Sequence, residues 1–247
     1  GVLLVLLKIL SLPVNQSIWG LLIVLFIAMV VVSQFMLTFG SDPNAKVTKK
    51  SKSPLSFHPI ALIFGLLSFV SYLVEGAVGD WSALYLFEDK GIVIEEAVMG
   101  VMLFNGTMCI GRLLGNRLGK HLTSKQVVVG GYLLGSIAMG LIVFLPGHAS
   151  MYTYLLLGIS LAMIVPNLFS AMGEQNVIPM TQAVATSTML GYMGILMGPA
   201  LIGFIAHGTS LTVAFIVLTT LLVVSAGIGK YAYHLMSKDC GLSEEQI

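Results

Sequence analysis

The sequence predicts an all-α membrane protein, a bundle of about seven full transmembrane helices plus a partial one, and three observations carry this prediction. Of the 247 residues, 57% are hydrophobic and 9% are charged, whereas a soluble domain has about 25% charged residues. No Asp, Glu, Lys or Arg occurs between Val127 and Gly173, a stretch that accommodates two spans of about 20 residues each. The apolar runs are continuous, whereas membrane β-strands alternate polar and apolar residues.

Turn-forming and polar residues divide the apolar runs into successive spans. A basic linker, 40–59, interrupts them, and a polar tail, 235–247, ends the sequence. Because the sequence opens at Gly1 inside an apolar run that lacks the features of a signal peptide, we expect an N-terminally truncated chain. The expected elements are a partial helix at 1–12 and full spans at 17–39, 60–86, 97–115, 126–146, 150–172, 184–206 and 211–234.

The positive charges predict how the helices are oriented, since cytoplasmic loops of membrane proteins are enriched in Lys and Arg. The side opposite to most of them carries Lys90, within the acidic loop FEDKGIVIEE. We therefore expect a multi-pass protein whose linker and C-terminus are cytoplasmic. The residues expected on the cytoplasmic side are Lys46, Lys49, Lys50, Lys52, Arg112, Arg117, Lys120, Lys125, Lys230 and Lys238.

Three segments resemble the major facilitator superfamily of secondary transporters. The segments VEGAVGDWSALYL at 74–86 and STMLGYMGILMGPALIGFIAHGTSL at 187–211 are similar to the seventh and eleventh helices of the bacterial group related to fucose permease. The segment GRLLGNRLGK at 111–120 is similar to the loop signature of the superfamily, although Asn116 stands where an acid is usual and Arg112 where the first signature Gly is usual. The resemblance thus marks Gly111, Arg112, Asn116, Arg117, Gly119 and Lys120 as a gating loop.

The resemblance also implies an organisation, a function and partners. Residues 1–39 correspond to helices five and six, at the end of an N-terminal half, and 60–234 to the C-terminal half, helices seven to twelve. The implied function is a permease of the bacterial inner membrane that moves a small polar solute, sugar-like or similar, alone or with protons, by alternating access. The implied partners are the lipid bilayer and the missing N-terminal helices of the same protein, with no cofactor.

Polar side chains inside the spans are the candidates for a solute or proton pathway. A charge at the bilayer centre costs about 2.5–3.5 kcal/mol on insertion scales, so Glu75, close to the middle of its span, is the first candidate to bind a proton or a polar solute group. The alternative for each candidate is a structural contact that joins helices or packs in the core. The full set is Tyr72, Glu75, Asp80, Asn105 and Asn167.

Asp80 is five residues beyond Glu75, which turns it through about 140° of the helix surface. The two acids therefore cannot face each other unless the helix breaks, and Gly76 and Gly79 are the candidates for such a break. Trp81 and Tyr85 beside Asp80 are expected to be anchors at the membrane interface.

Small residues at four-residue spacing, Gly194 and Gly198, predict close packing of the span at 184–206 against another helix. A hinge at Pro199 is the alternative. They do not form a phosphate-binding loop, since no Gly-Lys-Ser/Thr follows them.

Glu174 is expected to pair with Arg112, or with Arg117, because all three emerge on the same side and Asn116 removes the usual local acid. The alternative is a solvated Glu174, for which an exposed ion pair contributes about 0–1 kcal/mol.

Other classes of function fit the sequence less well. All five His residues stand at or beyond the ends of the spans, so neither an intramembrane enzyme with a His base nor a metal site is expected. No basic patch indicates a nucleic-acid partner. The alternatives that stay open are an inactive remnant or partial sequence of a transporter, a drug-type exporter, and a channel whose pore an oligomer completes.

Overall fold

The computed structural model describes residues 58–118, 122–175 and 177–240, together with helical residues between 20 and 33. The chain divides into two compact units, Gly1–Lys52 and Ser53–Ile247. In the first unit the described residues include the apolar helical segment Leu22–Val31, inside the expected span 17–39. The expected partial helix at 1–12, most of the linker at 40–59 and the end of the tail at 235–247 lie outside the described residues.

The described part of the second unit consists of α-helices joined by short loops. Six of its segments are long and apolar enough to cross a membrane, and they coincide with the six spans predicted between residues 60 and 234, which confirms the fold class there. The helices are α1 (Pro59–Glu88), α2 (Ile94–Leu118), α3 (Ser124–Phe144), α4 (Gly147–Ala162), α5 (Ile164–Glu174), α6 (Met180–Gly208) and α7 (Leu211–Cys240).

Helices α4 and α5 form one span, Gly147–Glu174, which is interrupted at Met163. Pro166 explains the interruption, since it has no N–H to donate to the carbonyl four residues earlier and its ring crowds that carbonyl. The backbone N–H of Asn167 (3.2 Å) and its side-chain Nδ2 (2.8 Å) both donate to the Met163 carbonyl. The irregular turn is thereby stabilised at membrane depth, where no water satisfies a free carbonyl.

One end of the second unit carries the acidic loop between α1 and α2, and is called the acidic end. Lys90 Nζ donates there to the carbonyls of Val143 (2.6 Å) and Leu145 (2.9 Å) at the end of α3. Thr212 Oγ1, at the start of α7, donates to Asp89 Oδ1 at 3.1 Å. These contacts join the end of α1 to the ends of two other helices.

Helices α1 and α6 pack with their backbones in contact along a row of glycines, called the glycine seam. A Cβ built on Gly194 or Gly198 would clash with the Phe69 or Leu73 carbonyl oxygen of α1, and one on Gly76 would lie 2.8 Å from the Ile195 oxygen of α6. Two helices approach this closely only where the facing residues lack side chains. The structure thus gives Gly194 and Gly198 the predicted packing role.

Tyr85 and Trp81 were both expected to be anchors at the membrane interface, and the structure shows contacts of each with other helices. For Tyr85 the expectation is wrong. Tyr85 is fully buried and stacks on Phe215 of α7, with ring centroids 4.2 Å apart. Trp81 is half-buried and its Nε1 donates to the Pro199 carbonyl of α6 at 2.9 Å. Tyr85 therefore holds helices together instead of anchoring α1 at the membrane interface, because its ring points into the bundle.

Candidate functional site

A charged pair joins α1 to α2 near the middle of the bundle. Arg112 Nη2 lies 3.3 Å from Glu75 Oε2 and 3.5 Å from Oε1. The side chain of Glu75 is 21% exposed and that of Arg112 is 44% exposed. The acid is thus the more enclosed partner, and the arginine is the partner that a solute reaches more easily.

The depth of the pair follows from the positions of its residues along their helices. Glu75 lies about 2 Å from the centre of α1, and the backbone of Arg112 about 9 Å from the centre of α2, toward the basic end opposite the acidic end. The long arginine stem bridges the difference, as such stems do when a cationic head is drawn to a distant partner. The pair is therefore within the span and not at its boundary.

Two tyrosines flank the charged pair. Tyr72 lies one turn before Glu75 on α1, and its ring is parallel to that of Tyr192 on α6, with an interplanar angle of 5° and centroids 6.3 Å apart. Gly191 allows this arrangement, since a Cβ there would lie 2.7 Å from the Tyr72 ring. Tyr192 is 63% exposed. Tyr72, Glu75, Arg112 and Tyr192 are called the central site.

Asn105 lies on the same face of α2 as Arg112, because seven residues make almost two full turns. It is exposed, and its Nδ2 donates to the Val101 carbonyl at 2.9 Å. Its backbone lies about 10 Å from that of Arg112 along the helix, toward the acidic end. Asn105 therefore continues the polar face of α2 to about the depth of Glu75.

Asp80 is not part of the central site. It is exposed on α1, and α1 is one continuous helix from Pro59 to Glu88, so the break considered at Gly76 and Gly79 does not occur. Gly76 serves close packing instead, because it touches the α6 backbone and any side chain there would separate the helices. Glu75 and Asp80 accordingly point in different directions and do not form a dyad.

Asn167 also lies apart from the central site. In addition to its bonds with Met163, its Oδ1 accepts from Ser124 Oγ of α3 at 3.3 Å. It lines a cavity of about 330 Å³ together with Gly115 of α2 and with residues of α3 and α4 that include Gln126 and Ser160. These contacts are those of a helix-joining amide, the alternative that the sequence left open.

The loop signature is only partly within the described residues. Gly111 packs on α4, where a Cβ would lie 2.6 Å from Ala162 Cβ. The side chains of Asn116 and Arg117 and the residues Gly119 and Lys120 lie outside the described residues. Gly111 thus permits close contact between α2 and α4, beside the arginine of the charged pair.

The predicted pair of Arg112 with Glu174 is not the pair that the structure forms. Glu174 is exposed at the last residue of α5, whereas Arg112 reaches inward to Glu75. An acid at mid-depth gains more from a positive partner than a carboxylate at a helix end, which water already solvates. The alternative with Arg117 involves a side chain outside the described residues.

A polar cavity lies at the acidic end, and the sequence did not predict it. Its volume is about 540 Å³, and Trp81, Glu88, Asp89, His207 and Ser210 are among its lining residues. Its residues come from the ends of α1 and α6 and the start of α7, which only the folded arrangement brings together. Among the described residues, no group of three or more His, Cys, Asp or Glu side chains is placed to hold a metal ion.

Six apolar spans with a charged pair and aromatic rings at mid-depth define a multi-pass membrane protein. The chain is 41% identical to an uncharacterized MFS-type transporter of Yersinia pestis over 168 residues, which is 67% of this chain and 43% of that protein. It is 30% identical to the membrane protein MosC of Rhizobium meliloti over 170 residues, 68% of this chain and 42% of that protein. No protein-family model matches the chain.

Among solved structures, the chain is similar to the N162A variant of the E. coli fucose:proton symporter FucP, with a TM-score of 0.62 and 16% sequence identity. This likeness covers 70% of the chain and 42% of the symporter, and at this identity it speaks for the fold. The chain belongs to the major facilitator superfamily, as its sequence predicted. It spans less than half the length of the relatives it matches.

Proposed function

We propose that this chain contributes the C-terminal half of a secondary transporter that moves a small polar solute by alternating access, with the central site in its pathway. The observation that carries the proposal is the pair of Glu75 and Arg112 in the middle of the spans. Charged residues at this depth are expensive and usually face a protein interior or a water-filled cavity. Transporter sites occur near the bilayer midplane, between the repeated halves of the fold.

Proton coupling is the second part of the proposal. An ionised Glu75 is held by Arg112, and a proton on Glu75 removes the attraction that joins α1 to α2 at this depth. One protonation event therefore changes both the charge of the central site and a contact between two helices. These are the two changes that link a proton to an alternating-access cycle.

The proposed organisation of the chain follows its resemblance to the two halves of a major facilitator. Residues 1–39 belong to the end of the N-terminal half, 60–234 form the C-terminal half, and preceding helices complete the cavity. The excess of Lys and Arg at one end of the spans supports a cytoplasmic linker and C-terminus in the bacterial inner membrane. In support of the carrier function, the relatives named above include an MFS-type transporter.

The test uses the protein expressed from its full natural gene and reconstituted in liposomes that contain a pH-sensitive dye. A panel of sugars, sugar acids and polyols is added outside, and solute-dependent proton entry is recorded. We expect Glu75→Gln to reduce this entry at least tenfold without loss of folded protein. The matched control is Glu95→Gln, which neutralises an exposed acid in the first turn of α2 and should leave proton entry unchanged.

Two results would contradict the proposal. Wild-type protein that gives no solute-dependent proton entry with any member of the panel would contradict a proton-coupled carrier of these solutes. Undiminished proton entry in the Glu75→Gln variant would remove Glu75 from the coupling step, whatever the solute.

A further inference from the structure

We propose that the central site takes an organic monoanion, a hydroxylated solute with one carboxylate, and that this anion binds together with one proton on Glu75. The inference rests on the proposed function and names the solute class of the same site. It is carried by the unequal exposure of the two charges, the geometry of their contact and the residues around them.

The contact leaves most of the arginine unused. Both oxygens of Glu75 approach a single nitrogen of Arg112, Nη2, at 3.3 and 3.5 Å. A guanidinium has five N–H donors in a rigid fork, and a carboxylate that binds it well accepts two parallel hydrogen bonds at shorter distances. Among the described residues, the guanidinium is therefore loosely held and 44% exposed, with donors left for a second carboxylate.

The charge balance favours an anion over a neutral or cationic solute. With Glu75 ionised, the pair is neutral and the acid competes for Arg112. With Glu75 protonated, the pair has one positive charge, which one carboxylate neutralises. The anion and the proton therefore promote each other's binding, whereas a cationic solute would meet the more exposed Arg112 first.

The other titratable groups beside the pair do not change this balance. Tyr72 of α1 adjoins both Glu75 and Arg112, and Tyr192 of α6 stacks on Tyr72. Tyrosines are neutral near pH 7. Within the described residues, Arg112 is the charge that acts on Glu75.

The surroundings indicate what the rest of the solute is like. The parallel rings of Tyr72 and Tyr192 offer an apolar surface with polar hydroxyl ends beside the charges, which suits a body with both C–H and O–H groups. Asn105, exposed on the same face of α2 as Arg112, can bond to a hydroxyl further along the solute.

The test compares D-gluconate with D-glucitol, which share six carbons and differ at one end by a carboxylate in place of an alcohol. Full-length protein in nanodiscs is titrated with each probe at pH 6 and pH 8. We expect D-gluconate to bind at least tenfold more tightly than D-glucitol, and more tightly at pH 6 than at pH 8. Its binding should weaken at least tenfold in Arg112→Gln and stay unchanged in the control Lys230→Gln, which removes an exposed charge of α7.

The variant Glu75→Gln separates this inference from a merely structural role of the pair. Glutamine imitates the protonated acid, so this variant should bind D-gluconate as tightly as wild type does at pH 6, and with the same affinity at both pH values. A structural role predicts that Glu75→Gln and Arg112→Gln lose binding together, which would overturn the inference. Equal binding of both probes, or no binding of D-gluconate, would overturn it as well.

The outcome is also separable from that of the proposed function. Arg112-dependent binding of D-gluconate without transport in liposomes would support the solute class and contradict the carrier. Glu75-dependent, proton-coupled transport of a neutral sugar would support the carrier and contradict the solute class.

Discussion

Helix α1 contacts α6 and α2 in opposite ways. Toward α6 its backbone meets Gly194 and Gly198 so closely that no side chain fits between the two helices. Toward α2, at the same depth, it presents Glu75 to a partly exposed Arg112. One side of α1 is thus fixed by shape, and the other is held by charges that a proton or an anion can separate.

If the proposed function holds, this difference indicates which contacts would change during the transport cycle. Backbone contact through small residues has a short range, so a gap of about 0.5–1 Å between the two helices would lose about a quarter to a half of its attraction. The ion pair tolerates larger movement, since arginine has a long flexible stem. We infer that α1 and α6 move as one body, whereas α2 adjusts relative to them.

The largest expected effect comes from an attempt to break the glycine seam. Gly194→Leu forces a side chain against the Phe69 carbonyl, and overpacking of this kind costs about 3 kcal/mol. We expect a marked loss of folded protein and of melting temperature in detergent. Gly79→Leu is the matched control, since nothing lies within 4 Å of a Cβ at that position, and its melting temperature should stay close to that of wild type.

If Gly194→Leu melts like Gly79→Leu, the two helices are not in backbone contact in the protein. The comparison between a fixed and an adjustable side of α1 would then be wrong.

A smaller effect is expected from the charged side of α1. Arg112→Gln leaves the more enclosed Glu75 without its partner, and an unsatisfied buried group costs about 1–3 kcal/mol. Glu75→Gln should cost less, because the exposed Arg112 can turn toward water or headgroups. The double variant should be more stable than Arg112→Gln alone, since no charge is then left unpaired.

Melting temperatures of the wild type, the two single variants and the double variant measure the coupling between the residues. Additive effects of the two substitutions would show that the side chains do not interact in the folded protein.

The spans were predictable from the sequence because hydrophobic length decides them almost alone. The expected span at 60–86 and helix α1, Pro59–Glu88, differ by a few residues, since caps and turns set the ends. The spacing of Gly194 and Gly198 predicted that α6 packs closely against another helix. It did not predict that this helix is α1. Spacing shows that a helix approaches another one, and not which one.

The partner of Arg112 was not predictable for a related reason. The sequence shows that Arg112 and Glu174 emerge on the same side, which favours their pairing. It does not fix the rotation and relative height of two antiparallel helices, which the packing of the whole bundle sets. A long arginine stem adds several ångströms of reach, so Glu75, on the preceding helix, became available instead.

The smallest effect is expected at the acidic end, where the loop after α1 is tied to α3. Lys90→Met removes the donor to the carbonyls of Val143 and Leu145, and a hydrogen bond of this kind contributes about 0.5–1.5 kcal/mol. Melting should fall by a few degrees, and the control Lys230→Met, on the exposed face of α7, should melt like wild type. An unchanged melting temperature of Lys90→Met would mean that this contact with α3 does not stabilise the folded protein.

The pH dependence of this effect has a definite sign. Burial lowers the pKa of Lys90 in the folded protein, and the charge of Asp89 offsets part of that lowering. Below the unfolded pKa of about 10.4, and above the lowered folded value, the unfolded chain therefore binds more protons than the folded protein at this group. Its contribution to stability rises with pH through that window. Wild-type protein should consequently gain melting temperature relative to Lys90→Met between pH 8 and pH 10, whereas a difference that is constant over this range would show that Lys90 is as hydrated in the folded protein as in the unfolded chain.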